Sequence, residues 1–402
     1  MTKIHFHTDC PFFAGCENML SVLFNNQKFN EKFEFSFSYN FSKEYDEGIQ
    51  KRIHGIIRKY PLKLSKASSG EGNLALRFFL KFAKPILFLI DVYRIYKIIK
   101  KENPEIIHIN NGGYPGALSC SAAVLSAKLA GKKKIVYVVN NIAFPLTSSF
   151  QRFLLYPVDL LVARNVTKFI TASKRAGASL ETVLNLNKNR LIQIPNTVLL
   201  RKPSLQSNDF RKKYGIGEKD ILIGCVGLFV KRKGHIYLLK AFSEFLKKHH
   251  GPDNVFLMFD GEGELKEEIK EMVTTLKLDN NVIFTTLPNI YDLYEAMDFL
   301  VLPSIEKEDF PNVVIESMYM GKAVIGTDVG GIPEQIINGH NGFVVTPRDV
   351  NELSNAMLKL TNDKKYLIKL GENGKKLFEE KFSENVIVEK YMKLYQEILE
   401  QG

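Results

Sequence analysis

The chain has 402 residues, of which 45% are hydrophobic and 25% charged, a composition typical of globular proteins. This length exceeds one ordinary core, so we expect two domains of about 200 residues each. The four cysteines form no C-x-x-C pair, and the longest apolar run is far shorter than the ~20 residues that span a bilayer. We therefore expect neither a disulfide scaffold nor a membrane-spanning helix. The cysteine usage fits a reduced cytoplasm, and the strand-like opening Lys3–Asp9 lacks the apolar core of a signal peptide.

Positive charge is concentrated in the first half of the chain. Residues 1–200 carry 28 Lys and Arg against 13 Asp and Glu, and residues 51–101 carry 13 against 2. This asymmetry indicates an anionic partner, and nucleic acid is not expected because no RRM or zinc-finger pattern is present. The mixture of basic and apolar residues from Leu74 to Lys100 suits a helix pair lying on an anionic membrane surface, although periodicity does not separate this from packing in the core. A core helix with a solvated basic face is the alternative.

From residue 3 to about residue 200, short β-branched runs alternate with helix-length segments such as Pro115–Ala130 and Lys174–Leu186. A strand, a crossover helix and a further strand are the signature of a parallel sheet with helices on both faces. The predicted strands are Lys3–Thr8, Phe33–Ser38, Glu105–Asn110, Lys134–Asn140, Lys168–Ala172 and Leu191–Pro195.

The alternation lapses at Thr197–Lys219, where we place a domain boundary, and then resumes. The predicted strands here are Ile221–Val226, Val255–Phe259, Val282–Thr285, Phe299–Leu302, Ala323–Thr327 and Phe343–Val345, and the chain is helical from about Val350. We predict an α/β fold of two Rossmann-like doubly wound parallel-sheet domains, 1–200 and 201–385, facing across a ligand cleft. A last helix, 386–402, is expected to pack back toward the first domain.

The most informative stretch runs from Leu302 to Asp349. Pro311 suits the first turn of a helix that would end at Gly321. The start of such a helix offers unpaired N–H groups and a positive dipole end, which suit a diphosphate. Glu308 in the loop and Glu316 in the helix can each accept two sugar hydroxyls. Two carboxylates at this spacing are, by themselves, also common on a solvated surface.

This stretch resembles the donor-binding signature of the retaining glycosyltransferases of family 4, which have the two-domain GT-B fold. The matching residues are Pro303-Ser304, Glu308-Asp309-Phe310-Pro311, Glu316-Ser317-Met318, Gly321, Asp328-Val329-Gly330-Gly331-Ile332-Pro333-Glu334 and Asn338–Asp349. The resemblance implies that Glu308 contacts the donor sugar as a catalytic residue and that Glu316 holds the ribose. It further implies that the backbone of Asp309, Phe310, Pro311, Asn312 and Val313 holds the sugar and the phosphates.

The segment Val226–Phe242 resembles the family's second donor-binding element, in which an arginine and a lysine neutralise the diphosphate. Lys233 matches the lysine, but Leu228 stands in place of the arginine. Arg232, or Lys231, could supply the missing charge from the same loop. A prepositioned cation lowers the barrier because negative charge grows on the departing nucleoside diphosphate. Lys233 and Arg232 are therefore predicted to be catalytic.

The resemblance is thinner before residue 190. Gly15 is what remains of a glycine turn that faces donor and acceptor in the family, and Cys16 beside it is assigned to the acceptor side. His108 is retained at a strand end and is also assigned to the acceptor side, with core packing as the alternative. Asn140 replaces a histidine next to the reacting sugar. It cannot act as an acid or a base, but it can donate a hydrogen bond to a sugar hydroxyl.

Other chemistries find less support in the sequence. It contains no Asp-x-Asp pair, Walker A loop or zinc-ligand cluster, and Gly261-Glu262-Gly263 holds only two glycines of a dinucleotide fingerprint. The resemblance implies a retaining transfer from a nucleoside diphosphate sugar to a glycan or lipid-linked acceptor in bacterial surface polysaccharide synthesis, with no metal and no cofactor. There are two alternatives. One is a nucleotide-sugar 2-epimerase, and the other is a non-catalytic transferase-like partner protein, which Leu228 and Asn140 would suit because they replace functional residues of the family.

Overall fold

The computed structural model describes residues 1–10, 13, 15–64, 74–148, 152–153, 156–251 and 253–401. It divides into two compact units. The first comprises Met1–Leu199 together with Glu384–Gly402, and the second is the continuous segment Leu200–Ser383. No described helix is long and apolar enough to cross a membrane.

The first unit is built on a parallel sheet of seven strands in the described part of the chain. Their order across the sheet is β3-β2-β1-β4-β5-β6-β7, so the order reverses between β1 and β4. The strands are β1 Thr2–Thr8, β2 Phe33–Asn40, β3 Arg58–Leu62, β4 Ile106–Asn111, β5 Ile135–Val139, β6 Lys168–Thr171 and β7 Leu191–Gln193. The helices are Gly15–Asn25, Gln27–Lys32, Lys43–Arg52, Leu74–Glu102, Leu118–Leu129, Tyr156–Asn165, Lys174–Leu184 and Glu384–Glu400.

The last helix, Glu384–Glu400, completes the core of the first unit. Its buried residues Ile387, Tyr391 and Tyr395 belong to one apolar cluster with the phenylalanines of β1 and β2. Within that cluster the rings of Phe33 and Tyr395 meet edge to face, with their centroids 5.6 Å apart. Edge-to-face contacts of this kind add to the free energy gained from burial. The first unit therefore depends on residues from both ends of the chain.

The second unit contains a parallel sheet of six described strands, in the order β10-β9-β8-β11-β12-β13. The order reverses between β8 and β11, and loops at the carboxyl ends of strands flanking such a reversal are where α/β sheets bind ligands. The strands are β8 Ile221–Val226, β9 Val255–Asp260, β10 Val282–Thr285, β11 Phe299–Leu302, β12 Ala323–Thr327 and β13 Gly342–Val345. The helices are Ser207–Lys213, His235–Lys248, Lys266–Thr275, Tyr291–Ala296, Asn312–Tyr319, Ile332–Gln335, Val350–Asn362 and Lys364–Lys381.

Two features of the first unit differ from the sequence prediction. Strand β3 was not predicted, because its sequence RKYPL is polar, contains a proline and lies largely exposed at the sheet edge. The segment predicted as a helix pair forms one helix, Leu74–Glu102, with Pro85 inside it. Pro85 is exposed, and water can satisfy the carbonyl that loses its helical partner there.

Three histidines of the first unit are buried. The ring nitrogens of His5 lie 2.8 Å from Ser36 Oγ and Ser38 Oγ, and His7 Nδ1 lies 2.9 Å from Ser38 Oγ. Burial lowers the pKa of His5, His7 and His108 to about 3, with a smaller contribution at His5 from the nearby His7. Between pH 6.5 and 3 the unfolded chain thus binds protons that the folded chain does not, so the free energy of unfolding falls as the pH falls.

We expect the free energy of unfolding of the first unit to fall steadily below pH 6.5. Each buried histidine should contribute up to about 1.4 kcal/mol to this fall for each pH unit. His7→Asn keeps a polar partner for Ser38 and removes one titrating ring. The free energy of unfolding should therefore depend less steeply on pH, by the contribution of one histidine. Hydrogen exchange of β1 and β2 peptides between pH 7 and 5 measures the opening free energy of this unit. His54→Asn, at an exposed position of the same unit, is the control, and a slope equal in His7→Asn and wild type would contradict the assignment.

Candidate functional site

The candidate site of the second unit lies where β8 and β11 end. The loop after β8 leads into a short turn of 3₁₀ helix, Lys231–Lys233, and the loop after β11 runs from Pro303 to Pro311. Because β8 and β11 are neighbours at the point where the strand order reverses, both loops emerge at the same edge of the sheet.

Glu308 is the centre of this site. Its Oε1 accepts hydrogen bonds from Ser304 Oγ at 2.9 Å and from Arg232 Nη1 at 2.9 Å, and it lies 2.5 Å from Lys233 Nζ. The residue is only 7% exposed, so these contacts are made largely out of water, where charge interactions are stronger. Two cations and one carboxylate leave a net positive charge, which suits a bound anion.

The two loops that carry these side chains are also joined through their backbones. Ile305 N–H donates to Arg232 O at 2.8 Å, and Gly234 follows with a φ of +70°. A Cβ built on Gly234 would overlap the carbonyl oxygen of Pro303, so only glycine allows the loops to approach this closely. The positions of Arg232 and Lys233 relative to Glu308 are thus fixed by the main chain.

A second glycine supports the loop from the other side. Gly330 has a φ of +54°, and a Cβ on it would overlap the carbonyl oxygen of Glu308. The next residue, Gly331, donates its N–H to Asp309 O at 2.6 Å, and Thr327 Oγ1 donates to Ser304 O. The two glycines that follow Asp328 therefore act as a backbone cradle for Glu308.

Gly261 and Gly263, the two glycines of the incomplete dinucleotide fingerprint, have a packing role. A Cβ on Gly261 would overlap Gly227 O, and one on Gly263 would press on the backbone of Phe229. These glycines let the loop after β9 pack directly on the loop after β8. A Cβ built on Gly227 would lie at van der Waals distance from the side chain of Lys233, so a side chain at position 227 would border the lysine that pairs with Glu308.

The helix Asn312–Tyr319 begins directly after the Glu308 loop, with Pro311 as its N-cap. Asp309 and Phe310 are buried, the latter against the ring of Phe382, so a ligand would reach this segment through its backbone. Asn312 and Val313 are half-buried in the first turn, where N–H groups lack carbonyl partners within the helix. The arrangement suits the predicted contacts to phosphate.

Glu316 lies one turn further along the same helix and is half-buried. Tyr294 Oη donates a hydrogen bond to Glu316 Oε2 at 2.8 Å. Burial raises the pKa of Tyr294 well above its usual value, and the neighbouring Glu316 carboxylate raises it further, so the hydroxyl remains a donor. Tyr294 orients the carboxylate predicted to hold a ribose. Sequence analysis did not identify Tyr294, because nothing in the sequence alone shows that the tyrosine and the glutamate meet.

In the first unit, Asn140 uses its amide hydrogens within the protein, and its role toward a substrate remains a prediction. This half-buried residue follows β5, and its Nδ2 donates to Asn110 Oδ1 at 2.8 Å and to Asn111 O at 3.0 Å. Because a carbonyl can only accept, the second contact fixes the orientation of the amide, and both of its hydrogens are engaged. Asn140 therefore presents Oδ1, an acceptor for a hydroxyl, and not the donor expected from sequence.

His108, assigned to the acceptor side from sequence, lies in the core of the first unit. Its ring is buried, with Nδ1 2.6 Å from Tyr395 Oη and the ring centroid 4.6 Å from that of Phe6. These contacts agree with the packing role stated as the alternative, and the acceptor-side role stays a prediction. Gly15 begins the helix Gly15–Asn25, and Cys16 follows it with a side chain outside the described part of the structure. The roles of Gly15 and Cys16 remain predictions.

The structure thus brings together Glu308, Arg232 and Lys233, and it places Glu316 on the helix that starts beside them. Asn140 belongs to the separate first unit. Leu228, at the position of the family arginine, is 52% exposed. Within the described ranges, no group of three or more His, Cys, Asp or Glu side chains is arranged to hold a metal ion.

Two family models match successive parts of the chain. The model described as "Glycosyltransferase Family 4" matches residues 53–201, and the one described as "Glycosyl transferases group 1" matches residues 206–377. The matches therefore include both strand-end loops of the candidate site, from Leu228 to Glu334.

Relatives agree with these matches. The "Capsular polysaccharide biosynthesis glycosyltransferase CapM" of Staphylococcus aureus is 27% identical over 79% of this chain and 84% of its own. The "UDP-Gal:alpha-D-GlcNAc-diphosphoundecaprenol alpha-1,3-galactosyltransferase" of Escherichia coli is 26% identical over 67% of this chain and 70% of its own. The crystal structure of Anabaena Alr3699/HepE in complex with UDP shares the fold, with a TM-score of 0.76, 18% identity and coverage of 98% and 100%. The chain is a glycosyltransferase of family 4 with the GT-B fold.

Proposed function

We propose that this glycosyltransferase moves a sugar from a nucleoside diphosphate sugar to a lipid-linked glycan, with retention at the anomeric carbon and without a metal ion. The observation that carries the proposal is the buried Glu308 carboxylate shared by Lys233 and Arg232 at the start of the Asn312–Tyr319 helix. Two cations and a helix N-terminus supply the positive charge that a metal provides in other transferases.

The donor diphosphate would lie against Lys233 and Arg232. When it binds, its charge competes with Glu308 for both cations, which leaves the carboxylate able to accept hydroxyls of the donor sugar. Glu316, oriented by Tyr294, would hold the ribose. A diphosphate donor agrees with the names of relatives, since the E. coli enzyme is named for UDP-Gal and HepE was crystallised with UDP.

The acceptor hydroxyl needs a base. Asn140 cannot take a proton, so we propose that a phosphate oxygen of the departing diphosphate takes it. The bond from the anomeric carbon to the diphosphate oxygen breaks while the acceptor oxygen bonds to the same face of that carbon. The acceptor proton then goes to the diphosphate. Asn140 Oδ1 would accept a hydrogen bond from a substrate hydroxyl and hold it in position.

The acceptor class rests on charge and on relatives. CapM is named for capsular polysaccharide biosynthesis, and the E. coli enzyme for an acceptor linked to diphosphoundecaprenol. The basic segment 51–101 of this chain suits an anionic membrane surface, where a lipid-linked acceptor is presented. We therefore propose that the protein acts at the cytoplasmic face of the plasma membrane, in surface polysaccharide biosynthesis.

Thermal shift against UDP, GDP, ADP and their sugars should identify one nucleotide that raises the melting temperature, because a ligand bound to the folded state stabilises it by mass action. Lys233→Ala and Arg232→Ala should each weaken this shift and lower kcat by about 10²–10³-fold, the usual cost of removing a charge-stabilising donor. Lys231→Ala, an exposed lysine of the same turn, is the control and should retain nearly full activity. A loss in Lys231→Ala with none in Arg232→Ala would contradict the role given to Arg232 and assign the missing charge to Lys231.

Removal of divalent ions tests the metal-independent part of the proposal. The transfer rate should be the same in EDTA as in Mg²⁺ or Mn²⁺, because protein cations neutralise the leaving group. Initial rates with the nucleotide sugar that thermal shift identifies provide the measurement. Loss of activity in EDTA with recovery on adding Mg²⁺ would refute metal independence and leave the donor site in place.

Gly330→Ala tests the backbone cradle of Glu308. The new methyl group would overlap Glu308 O, so the loop must move and we expect donor turnover to fall by at least about tenfold, since small displacements of catalytic groups are costly. Gly339→Ala is the matched control, because Gly339 also has a positive φ, +74°, but a Cβ built on it would come no closer than 3.8 Å to its neighbours. Both variants should lose about 1 kcal/mol or more of stability from backbone strain. If they also lost activity equally, the cradle would have no specific role.

A further inference from the structure

The helix Leu74–Glu102 presents an apolar surface that the rest of the described structure leaves uncovered. Ile86 is 63% exposed, Leu89 60%, Ile90 38% and Tyr93 60%. Their spacing of three and four residues places them on one face of the helix. We name these four residues the apolar stripe. Neighbouring exposed apolar side chains of this size indicate a surface that binds another protein, a membrane or a ligand.

The same face continues as a basic surface toward the end of the helix. Four basic residues near the end of the helix are exposed, namely Arg94, Lys97, Lys100 and Lys101. Successive residues of a helix are rotated by about 100° around its axis, so these four and the apolar stripe together occupy an arc of roughly 140° of the helix surface. We name these four the basic stripe. Asp91, the one acidic residue between positions 85 and 101, is buried beside Arg94. The exposed face therefore carries no negative charge over this length.

The two stripes follow one another along the helix axis. Each spans seven residue steps, or about 10 Å. A helix lying flat on a membrane has its apolar and basic residues on different sides of the cylinder. Here one face is apolar at its amino-terminal part and basic at its carboxyl-terminal part. This order fits a helix that meets the membrane at an angle, with Ile86 and Leu89 among acyl chains and Lys100 and Lys101 among lipid phosphates.

We infer that the exposed face of the Leu74–Glu102 helix docks the first unit obliquely onto an anionic bilayer, the apolar stripe entering the membrane and the basic stripe binding lipid headgroups. The inference deepens the lipid-linked acceptor of the proposed function and rests on it for its biological meaning. Docking itself requires no sugar transfer, so the two can fail separately.

Charge favours a bilayer over a second copy of this chain. A two-fold contact through the same face would place the basic stripe against the partner's basic stripe or against its apolar stripe. The first arrangement sets like charges together, and the second removes lysines from water without a counter-charge. An anionic bilayer supplies both an apolar interior and a layer of negative charge, in the order that the helix requires.

Flotation with vesicles tests the docking. The full chain should bind vesicles of phosphatidylglycerol and phosphatidylcholine but not vesicles of phosphatidylcholine alone. Lys97→Gln, Lys100→Gln and Lys101→Gln combined should weaken binding about a hundredfold, at roughly fivefold for each charge near the surface. Leu89→Ser with Tyr93→Ser should also abolish flotation. These side chains are exposed, and folding is checked by the melting temperature.

The second unit offers a matched control. Ile368 is 53% exposed on the helix Lys364–Lys381, with exposed lysines at 364, 365 and 369 around it. Ile368→Ser with Lys364→Gln, Lys365→Gln and Lys369→Gln removes the same kinds of group and the same charge. It should leave flotation unchanged. Equal loss in the control would mean that net charge alone drives binding and would overturn the inference.

Tryptophan fluorescence tests the angle, because the chain contains no tryptophan of its own. Leu89→Trp should shift its emission to the blue on vesicle binding and be quenched by brominated acyl chains. Lys100→Trp should show a much smaller shift and little quenching, and Ile368→Trp none. Equal responses at 89 and 100 would overturn the oblique geometry, and no response at 89 would overturn insertion.

Two further outcomes separate this inference from its alternatives. The stripe variants should keep the nucleotide thermal shift of the wild type in solution. If the wild-type protein floats with vesicles but no nucleotide raises its melting temperature, docking is supported and the proposed donor site is not. If a nucleotide raises the melting temperature but the protein does not float, docking alone is overturned. A change in sedimenting mass from dimer to monomer in Leu89→Ser with Tyr93→Ser would identify a second copy as the occupant and overturn the inference.

Discussion

The candidate site depends on one buried carboxylate that two cations share. Removing Glu308 and Lys233 from water is costly, and the cost is recovered only when they and the partly exposed Arg232 are held at hydrogen-bonding distance. The main chain provides this, because Gly234 and Gly330 allow backbones to meet where a side chain would not fit. The positive charge left over once Glu308 is paired is available for a phosphate. The glycines, the ion cluster and the helix that follows thus form one interdependent arrangement.

Much of the second unit could be predicted from the sequence. Strands β8, β10, β11 and β12 lie where their buried β-branched runs end in polar or small residues, and the bounds agree to the residue. Glu308 and Lys233 could be predicted from the motif, and Arg232 only from its place in the same loop as Lys233. Their shared oxygen atom could not, because Arg232 and Glu308 are separated by 76 positions and only the fold makes them neighbours. The same limit applies to Tyr294 and Glu316.

The first unit was harder to predict for related physical reasons. Strand β3 has no apolar alternation, since it is a charged sheet edge, and edge strands need little burial. For Asn140 the residue type permits both donation and acceptance, and the choice is made by Asn110 and Asn111 on the adjacent strand. His108 belongs to a recognisable motif, yet here its ring packs in the core against Tyr395. A motif states which residue types occur together, whereas the surrounding packing decides which atoms face a ligand.

The C-terminal helix Glu384–Glu400 has a consequence for the order in which the protein is made. Because Tyr391 and Tyr395 complete a core begun by β1 and β2, the first unit cannot finish packing until the helix Glu384–Glu400 has left the ribosome. The second unit is a continuous segment with its whole core between Leu200 and Ser383. All of its residues are therefore synthesised before the helix that the first unit needs. Domains generally fold as units during synthesis. In this chain the segment translated second can therefore reach its native state first, while the amino-terminal half waits, partly open, for its final helix.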